Sequence, residues 1–402
     1  MAQNDRLGRW RETAVVGVMA LGFGLVGIDR FLITTMFPTI AHDLHLNYAD
    51  IGVITGALAI AWGIAALLVG NLADRIGRRR VLTGSLIAFS LLIGASGLAT
   101  ALAGLVLVRV VMGFADGAYT PASITATLEA APPERHGLSI GVQQMMLPLC
   151  GLGLSPLLVA VLLKVIDWRH VFIVFVIPGL LLAYAVWRVV PDTRRTVAGG
   201  TDASAWRNWR TVLRVRNVRI ASLMMLCWLT CLITTSAFLP NYFLDYLHLS
   251  FSGMTTVMSA IGLGSTAGTL LLPWLSDRVG RRPIMTLSAI GALGGLATLA
   301  GANASVGVLF AALFMTHFFN NALITLTVGP ICVESVPAAV HATASGLVIA
   351  VGELFGGGIA PVLVGRVAQE FGLGRVFALP IVALACGIVL TRLLIETRPA
   401  GR

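Results

Sequence analysis

Gly70-Asn-Leu-Ala-Asp-Arg-Ile-Gly-Arg-Arg-Arg80 and Pro273-Trp-Leu-Ser-Asp-Arg-Val-Gly-Arg-Arg-Pro283 are two short charged turns, each between long apolar stretches. Asp74 of the first turn matches Asp277 of the second at an offset of 203 residues, and the Arg-x-Gly-Arg-Arg that follows Asp74 matches at the same offset. A basic turn repeated between apolar stretches indicates a duplicated membrane bundle, and such bundles are characteristic of transporters.

The composition of the chain requires a lipid environment. Of its 402 residues, 57% are hydrophobic and only 11% are charged, and a soluble domain cannot bury that much apolar surface. Apolar stretches of about 20 or more residues recur along the chain. Stretches of that length form helices in a bilayer, because a helix satisfies its own backbone hydrogen bonds. The sequence therefore predicts an all-α integral membrane protein with twelve transmembrane helices. The predicted spans are 14–38, 48–73, 81–101, 103–128, 137–163, 169–190, 218–243, 252–276, 284–302, 305–332, 342–366 and 373–395.

The net charge of +10 is distributed unevenly between the loops. By count along the sequence, 22 of the 28 Lys and Arg residues lie in, or within three residues of, the N-terminus, the loops after even-numbered spans and the C-terminal tail. This asymmetry follows the positive-inside rule and predicts cytoplasmic N and C termini, so it gives no reason to expect nucleic-acid binding. Residues 1–12 lack the features of a cleaved signal peptide, so we expect a multi-pass protein of the bacterial inner membrane.

The longest polar stretch divides the chain into two halves. We predict an N-terminal six-helix bundle over residues 1–190, a cytoplasmic linker over 191–217 and a C-terminal six-helix bundle over 218–402. In the linker, Trp206, Trp209 and Leu213 follow an i, i+3, i+7 pattern among arginines. This pattern is compatible with an interfacial helix on anionic lipid and also with a solvated linker.

The basic turns, together with Arg109-Val-Val-Met-Gly113, resemble the signatures of the major facilitator superfamily, and the resemblance extends over essentially the whole chain. It implies two six-helix bundles that rock about a central site by alternating access. It also implies gating roles at the cytoplasmic side, where charge pairs would form and break; the alternative is that these charges only set the topology. The gating candidates are Asp74, Arg75, Arg78, Glu129, Asp277, Arg278 and Arg281.

In the first half of the chain, four charged residues lie far from any predicted helix end. Asp29 and Arg30 are in the first span, and Arg109 and Asp116 are in the fourth. A charge at the centre of a membrane helix costs about 2.5–3.5 kcal/mol on insertion scales, so each needs a partner or a function. Arg109 and Asp116 are about 10 Å apart along one helix face. The four charges sum to zero and are expected to form two pairs.

This arrangement of charges resembles the anion:cation symporter branch of the superfamily, and next the spinster-like lysolipid transporters. Pro240-Asn-Tyr242 in the seventh span also suits the symporter branch. Asp116 is one methylene shorter than the Glu that is commoner in these relatives. The resemblance implies transport of an organic anion with protons.

Arginine is permanently cationic and offers a planar fork to a carboxylate. We therefore expect Arg30 to bind the substrate anion, with Arg109 as a second cation site or as the group that controls the protonation of Asp116. Asp29 and Asp116 are the candidate proton carriers. The alternative is a static network of ion pairs that holds the first and fourth helices together.

The second half of the chain offers less familiar polar groups. Glu353 lies in the middle of the eleventh span with no evident basic partner, so we expect it to be protonated or to face the cavity as a further proton site. His317 is a candidate proton relay, and a packing histidine bonded to an amide is the alternative. Further candidates for substrate binding are Gln143, Asn241, Tyr242, Asn320 and Asn321.

No cofactor is expected from the motifs. The sequence has no phosphate-binding loop, no zinc-ligand spacing and no nucleophile elbow, and its five cysteines all lie in apolar spans. We therefore expect a transporter driven by the proton gradient, with no enzymatic activity.

Three functions remain compatible with the sequence. The first is proton-coupled uptake of a small organic anion such as a carboxylate, by a monomer. The second is proton-coupled efflux of drugs or amphiphiles, including lysolipid-like substrates. The third is a sensor derived from a transporter, or a structural membrane protein.

Overall fold

The structure is a computed structural model that describes residues 2–68, 77–132, 135–191, 210–303, 305–337 and 340–397. Within these ranges it is helical and contains no β-strand, and twelve helices are long and apolar enough to cross a bilayer. The prediction of an all-α membrane fold with twelve spans is thus confirmed. The spanning helices are α1 (Glu12–Leu44), α2 (Tyr48–Ala66), α3 (Arg78–Ser96), α4 (Leu102–Ala130), α5 (Leu138–Leu162), α6 (Trp168–Val189), α7 (Arg216–Tyr246), α8 (Phe251–Val279), α9 (Arg281–Gly301), α10 (Val306–Ile331), α11 (Thr343–Phe371) and α12 (Leu373–Leu393).

The helices α1 and α7 extend further than their apolar stretches predict. Hydropathy marks only the apolar part of a helix, whereas the backbone stays helical until a residue breaks it. Just beyond each of these helices a histidine adopts a left-handed conformation, His45 at φ 54° and His248 at φ 54°. The two histidines are 203 residues apart in the sequence, so the two halves end their first helix in the same way.

Both copies of the basic turn contain a glycine whose backbone φ is positive. Gly77 precedes α3 at φ 100°, and Gly280 joins α8 to α9 at φ 117°. Residues that have a Cβ rarely adopt a positive φ, whereas glycine does so without steric cost. The glycine common to both turns therefore lets the chain reverse sharply between two membrane helices.

The helices pack as two groups, α1–α6 and α7–α12. In the first group α2 and α3 pack on α4 and α1 packs on α5, and in the second α8 and α9 pack on α10 and α7 packs on α12. We call the end of the bundle that carries Gly77 and Gly280 the basic end, and the other the opposite end. Most of the predicted linker, 192–209, lies outside the described residues, so the domain boundaries remain predictions; residues 210–214 are helical.

The two halves meet along α2 with α11, α5 with α8 and α1 with α7. Glycines allow the close approach, since a Cβ at Gly52 would clash with the carbonyl of Pro361 and one at Gly262 would clash with the backbone of Gly153. At the opposite end, the Tyr48 hydroxyl donates a hydrogen bond across the halves to Asp245 at 3.1 Å. This interface places α1, α2, α7 and α11 around the centre of the molecule.

Candidate functional site

The centre of the interface between the halves is an ion pair. Arg30 of α1 donates two hydrogen bonds to Glu353 of α11, Nη1 to Oε1 at 2.9 Å and Nη2 to Oε2 at 2.6 Å. Arg30 is 9% exposed and Glu353 is 5% exposed. The expectation that Glu353 lacks a basic partner is wrong, because its partner comes from the other half of the chain.

Local backbone structure brings these two residues together. Glu353 lies in a π-helical turn of α11, Gly352–Ile359, which is rich in glycine. A Cβ at Gly357 would lie 2.7 Å from Glu353 Oε2, so only glycine leaves room for the carboxylate there. On the other side, the Arg30 guanidinium lies over the ring of Trp62, 4.7 Å from its centroid, which favours the cation by a cation–π interaction.

A second cluster lies on the α1 and α4 side of this pair. Arg109 Nη1 donates a hydrogen bond to the backbone carbonyl of Asp29 at 2.8 Å and is 3.8 Å from Asp29 Oδ1. Both oxygens of Asp116 are buried without a hydrogen-bond partner among the described residues. Of the two pairs expected among the four charges, only Arg109 with Asp29 therefore forms. Arg30 binds Glu353 instead, and Asp116 lies about two helical turns from Arg109.

A small cavity opens beside both arginines and has room for about one water molecule. Three hydroxyls lie on its wall, which is otherwise mostly apolar. The lining residues are Arg30, Phe31, Ile33, Thr34, Thr55, Leu58, Arg109, Ile233 and Ser236. The arrangement offers a cationic group next to hydroxyls and apolar surface, which suits an anionic group on a mainly apolar ligand.

The candidate residues of α10 make packing contacts inside the second half. Asn320 donates to the carbonyl of Trp228 at 3.1 Å, and Asn321 donates to the Thr269 hydroxyl at 3.3 Å. His317 is fully buried, with Nε2 3.1 Å from the Thr235 hydroxyl. Since none of the three α10 candidates lines the cavity, their roles in binding or proton transfer stay predictions without geometric support.

Three other candidates also lie away from the cavity lining. Gln143 of α5 donates to the Ser123 hydroxyl of α4 at 2.8 Å. Near the opposite end, Asn241 donates to Asp245 at 3.0 Å. Tyr242 stacks on Tyr246 with ring centroids 5.1 Å apart. Asn241 and Tyr242 thus adjoin the contact that joins the halves at the opposite end.

At the basic end, the ion pairs of the described residues stay within one half. Arg281 pairs with Asp277 at 2.5 Å and with Glu334 at 2.8 Å, and Arg78 pairs with Glu129. Arg278 stacks on Trp274, 4.0 Å from the ring centroid. Asp74 and Arg75 lie outside the described residues. A gating role for this group of charges remains a prediction.

Several residues that contact Arg30 or connect the two halves were not among the sequence candidates. Trp62 faces Arg30, and Tyr48 and Asp245 join the halves at the opposite end. Thr34 follows Arg30 by one helical turn, so helical periodicity marks it as a neighbour on the same face. No sequence signal distinguishes Trp62 or Asp245 from other residues at helix surfaces and helix ends.

Known proteins provide an independent comparison. The 3-(3-hydroxy-phenyl)propionate transporter of Escherichia coli is 29% identical over 375 residues, 91% of this chain and 89% of that protein. The gallate transporter of Pseudomonas putida is 26% identical over 313 residues, 69% of each chain. A crystal structure of a bacterial homologue of the human lysosomal transporter Spinster, inward-facing and unoccupied, superposes with a TM-score of 0.77 at 19% identity and covers 98% of this chain and 99% of that one.

The comparisons agree with the resemblance stated from the motifs. The two relatives are transporters and not enzymes, and the structural match supports the fold. The family model of the Major Facilitator Superfamily matches residues 19–354 and 234–402, which together span most of the chain. The chain is therefore a multi-pass membrane protein that belongs to the Major Facilitator Superfamily.

Proposed function

We propose that the protein is a secondary transporter that takes up a small organic anion, a carboxylate, together with protons across the bacterial inner membrane. It would act as a monomer, with both termini in the cytoplasm and with no cofactor. The pH gradient would supply the energy, at about 1.4 kcal/mol per proton for each pH unit.

The observation that carries this proposal is the position of Arg30. Its guanidinium lies where the two halves meet, beside the cavity and next to Arg109. A buried guanidinium is stabilised by a carboxylate that accepts two parallel hydrogen bonds, and Arg30 already makes this interaction with Glu353. A site of this kind favours an anion and disfavours a cationic drug.

The relatives support the same class of substrate. Both are named for aromatic carboxylates, and both match at least two thirds of this chain. Three carboxyl groups lie around the two arginines and can gain or lose a proton when an anion binds. They belong to Asp29, Asp116 and Glu353. Anion transport with protons is thus compatible with the chemistry of the buried cluster.

The test is uptake of acids by purified protein in liposomes with an inward proton gradient. The panel comprises gluconate, gallate and 3-hydroxybenzoate, and protein-free liposomes correct for acid that crosses the lipid unaided. We expect accumulation of at least one acid by the wild type and its loss in Arg30→Ala. Arg366→Ala is the matched control, since Arg366 is exposed on α11.

Two results would contradict the proposal. One is accumulation that persists in Arg30→Ala at the wild-type rate. The other is movement of none of the acids while a cationic dye or a lysolipid is expelled. The second result would identify an exporter.

A further inference from the structure

We propose that Glu353 occupies, in the empty carrier, the place of the substrate carboxylate on Arg30, and that Glu353 takes up the coupling proton when the substrate displaces it. This inference rests on the proposed function and names the residue through which the proton and the anion are linked. It makes Glu353, in the second half, the coupling acid.

The geometry of the pair supports displacement. Two parallel hydrogen bonds of 2.9 and 2.6 Å join the guanidinium to the carboxylate, which is also how arginine binds a carboxylate ligand. The cavity beside Arg30 is bordered by Thr34 and Ser236 and holds about one water molecule in this state, so the substrate reaches the guanidinium once the helices around the cavity move apart. The Arg30 guanidinium can donate this pair of hydrogen bonds to only one carboxylate at a time. Binding of the substrate carboxylate therefore requires that of Glu353 to leave.

Charge balance supplies the second argument. Among the described residues, five buried charged side chains lie together at the centre: two arginines and three acids. They are Asp29, Arg30, Arg109, Asp116 and Glu353. If all five were ionised their sum would be one negative charge, and an uncompensated charge in a dry site is strongly disfavoured. One of the three acids therefore carries a proton in the empty state.

Substrate binding changes this balance by one charge. A monovalent carboxylate on Arg30 adds a negative charge, so the displaced Glu353 carboxylate is left unpaired until it accepts a proton from hydronium on the side from which the substrate enters, which leaves a water molecule. The bond that forms is the O–H of Glu353, and the ion pair of Arg30 passes from Glu353 to the substrate. One proton enters for each monovalent anion, and the step is electroneutral.

Among the described residues, Arg30 is the one cation that pairs with Glu353. From α2, Gly63 packs against it, and from α7, Met225 and Leu229 pack against the neighbouring Gly352. Apart from Arg30, the charged groups of the cluster belong to α1 and α4 of the first half. A charged Glu353 displaced from Arg30 would therefore be buried without an ion-pair partner, since Arg109 already pairs with Asp29.

The carrier has four loading states, with or without substrate and with or without the proton. Only two of them have no unpaired buried charge, and these two can pass between the outward-facing and inward-facing states. The empty carrier has the pair of Arg30 with Glu353, and the loaded carrier has the substrate on Arg30 with a neutral Glu353. Substrate without the proton leaves Glu353 charged and unpaired, and the proton without substrate leaves Arg30 unpaired. Since a buried unpaired charge is strongly disfavoured, only coupled movement is permitted.

The first test asks directly whether Arg30 accepts a free carboxylate in place of Glu353. The unfolding temperature of purified Glu353→Ala protein is measured in sodium acetate and in sodium chloride of equal ionic strength. We expect acetate to raise the unfolding temperature of Glu353→Ala more than that of the wild type. The double variant Arg30→Ala/Glu353→Ala should lose this difference. An equal response to acetate in all three proteins would overturn the inference.

The second test measures coupling in liposomes, with the panel acid that the wild type moves fastest and with the membrane potential held at zero. One proton per anion predicts about tenfold accumulation for a gradient of about one pH unit. Glu353→Gln should lose this accumulation and keep exchange of internal for external acid, since the loaded carrier needs no proton. Glu370→Gln, the same change at an exposed position of α11, should behave as the wild type.

The outcomes separate the two proposals. Retained accumulation in Glu353→Gln, or loss of exchange along with accumulation, would overturn the role of Glu353 and leave uptake of acids standing. If the wild type moves no acid, the proposed function fails. The acetate experiment still decides whether Arg30 exchanges one carboxylate for another.

Discussion

Arginine at position 30 has a chemical role that lysine cannot fill. The guanidinium of Arg30 makes two parallel bonds to one carboxylate and stacks on Trp62, whereas an ammonium group is a compact point charge without a planar fork. At this site the geometry of the cation therefore matters as well as its charge.

Arg30→Lys is expected to keep the charge and to weaken binding of the substrate. Loss of the second hydrogen bond should raise the KM for uptake by about tenfold, which corresponds to about 1.4 kcal/mol. The measurement is the initial rate of uptake as a function of acid concentration. An unchanged KM in Arg30→Lys would show that only the charge matters.

The two aspartates of the cluster should differ in their effect on stability. Asp29→Asn removes the counter-ion of Arg109, which is fully buried, so we expect a loss of about 3–5 kcal/mol in the free energy of unfolding. Asp116→Asn should cost much less, because no described residue donates a hydrogen bond to its carboxylate. Unfolding in mixed micelles measures both values, and equal losses would contradict this difference.

At the residue scale, the sequence predicted the charges but not all of their pairs. Asp29, Arg30, Arg109, Asp116 and Glu353 stand out because charge is rare in apolar spans. The pair of Arg30 with Glu353 joins residues that are 323 positions apart, and only the packing of α1 against the second half brings them together. Helical spacing relates residues within one helix and carries no information on such a contact.

At the scale of the helix, hydropathy predicts the spans but not their internal irregularities. The helices α5, α7, α10 and α11 contain π-helical turns, at Leu149–Leu154, Tyr242–Tyr246, Thr327–Ile331 and Gly352–Ile359. Pro156 and Pro361 follow two of these turns, and each lacks the N–H that would bond four residues back, which favours a local change of pitch. Proline position was therefore an available signal for the turn that holds Glu353.

The packing of α2 on α11 depends on glycine. A Cβ at Gly56 would lie 2.6 Å from the carbonyl oxygen of Gly358, so Gly56→Ala forces the two helices apart. We expect this variant to favour a state in which the opposite end is more open. The matched control is Gly346→Ala on α11, where a Cβ meets nothing within 4 Å.

Electron–electron distance measurements between spin labels test this expectation. The labels are attached at Val165 and Phe371, which are exposed at the opposite end on different halves. Gly56→Ala should lengthen or broaden the distance distribution relative to Gly346→Ala. Identical distributions in the two variants would contradict the proposed role of the glycine contact.

At the scale of the whole molecule, the repeat was readable from the sequence and the joining of the halves was not. Gly77 and Gly280 recur at one offset because both turns need the same left-handed conformation. The contact of Tyr48 with Asp245 has no counterpart in a motif, because it arises only when the two halves are packed.

The orientation of the molecule in the membrane is expected to follow its basic residues. In a variant whose five cysteines are replaced, a cysteine at Val165 should react with a membrane-impermeant maleimide in intact cells. A cysteine at Val279, exposed at the basic end, should react only after the membrane is permeabilised. The reverse pattern would place the basic end outside the cell.

If a carboxylate and a proton enter together through the Arg30 site, simultaneous recording of both in liposomes should show it. Liposomes containing a trapped pH indicator receive an inward gradient of the transported acid with no imposed pH gradient. We expect acidification of the interior at about one proton per monovalent anion, absent in Arg30→Ala and in protein-free liposomes. Entry of the acid without acidification of the interior would contradict it.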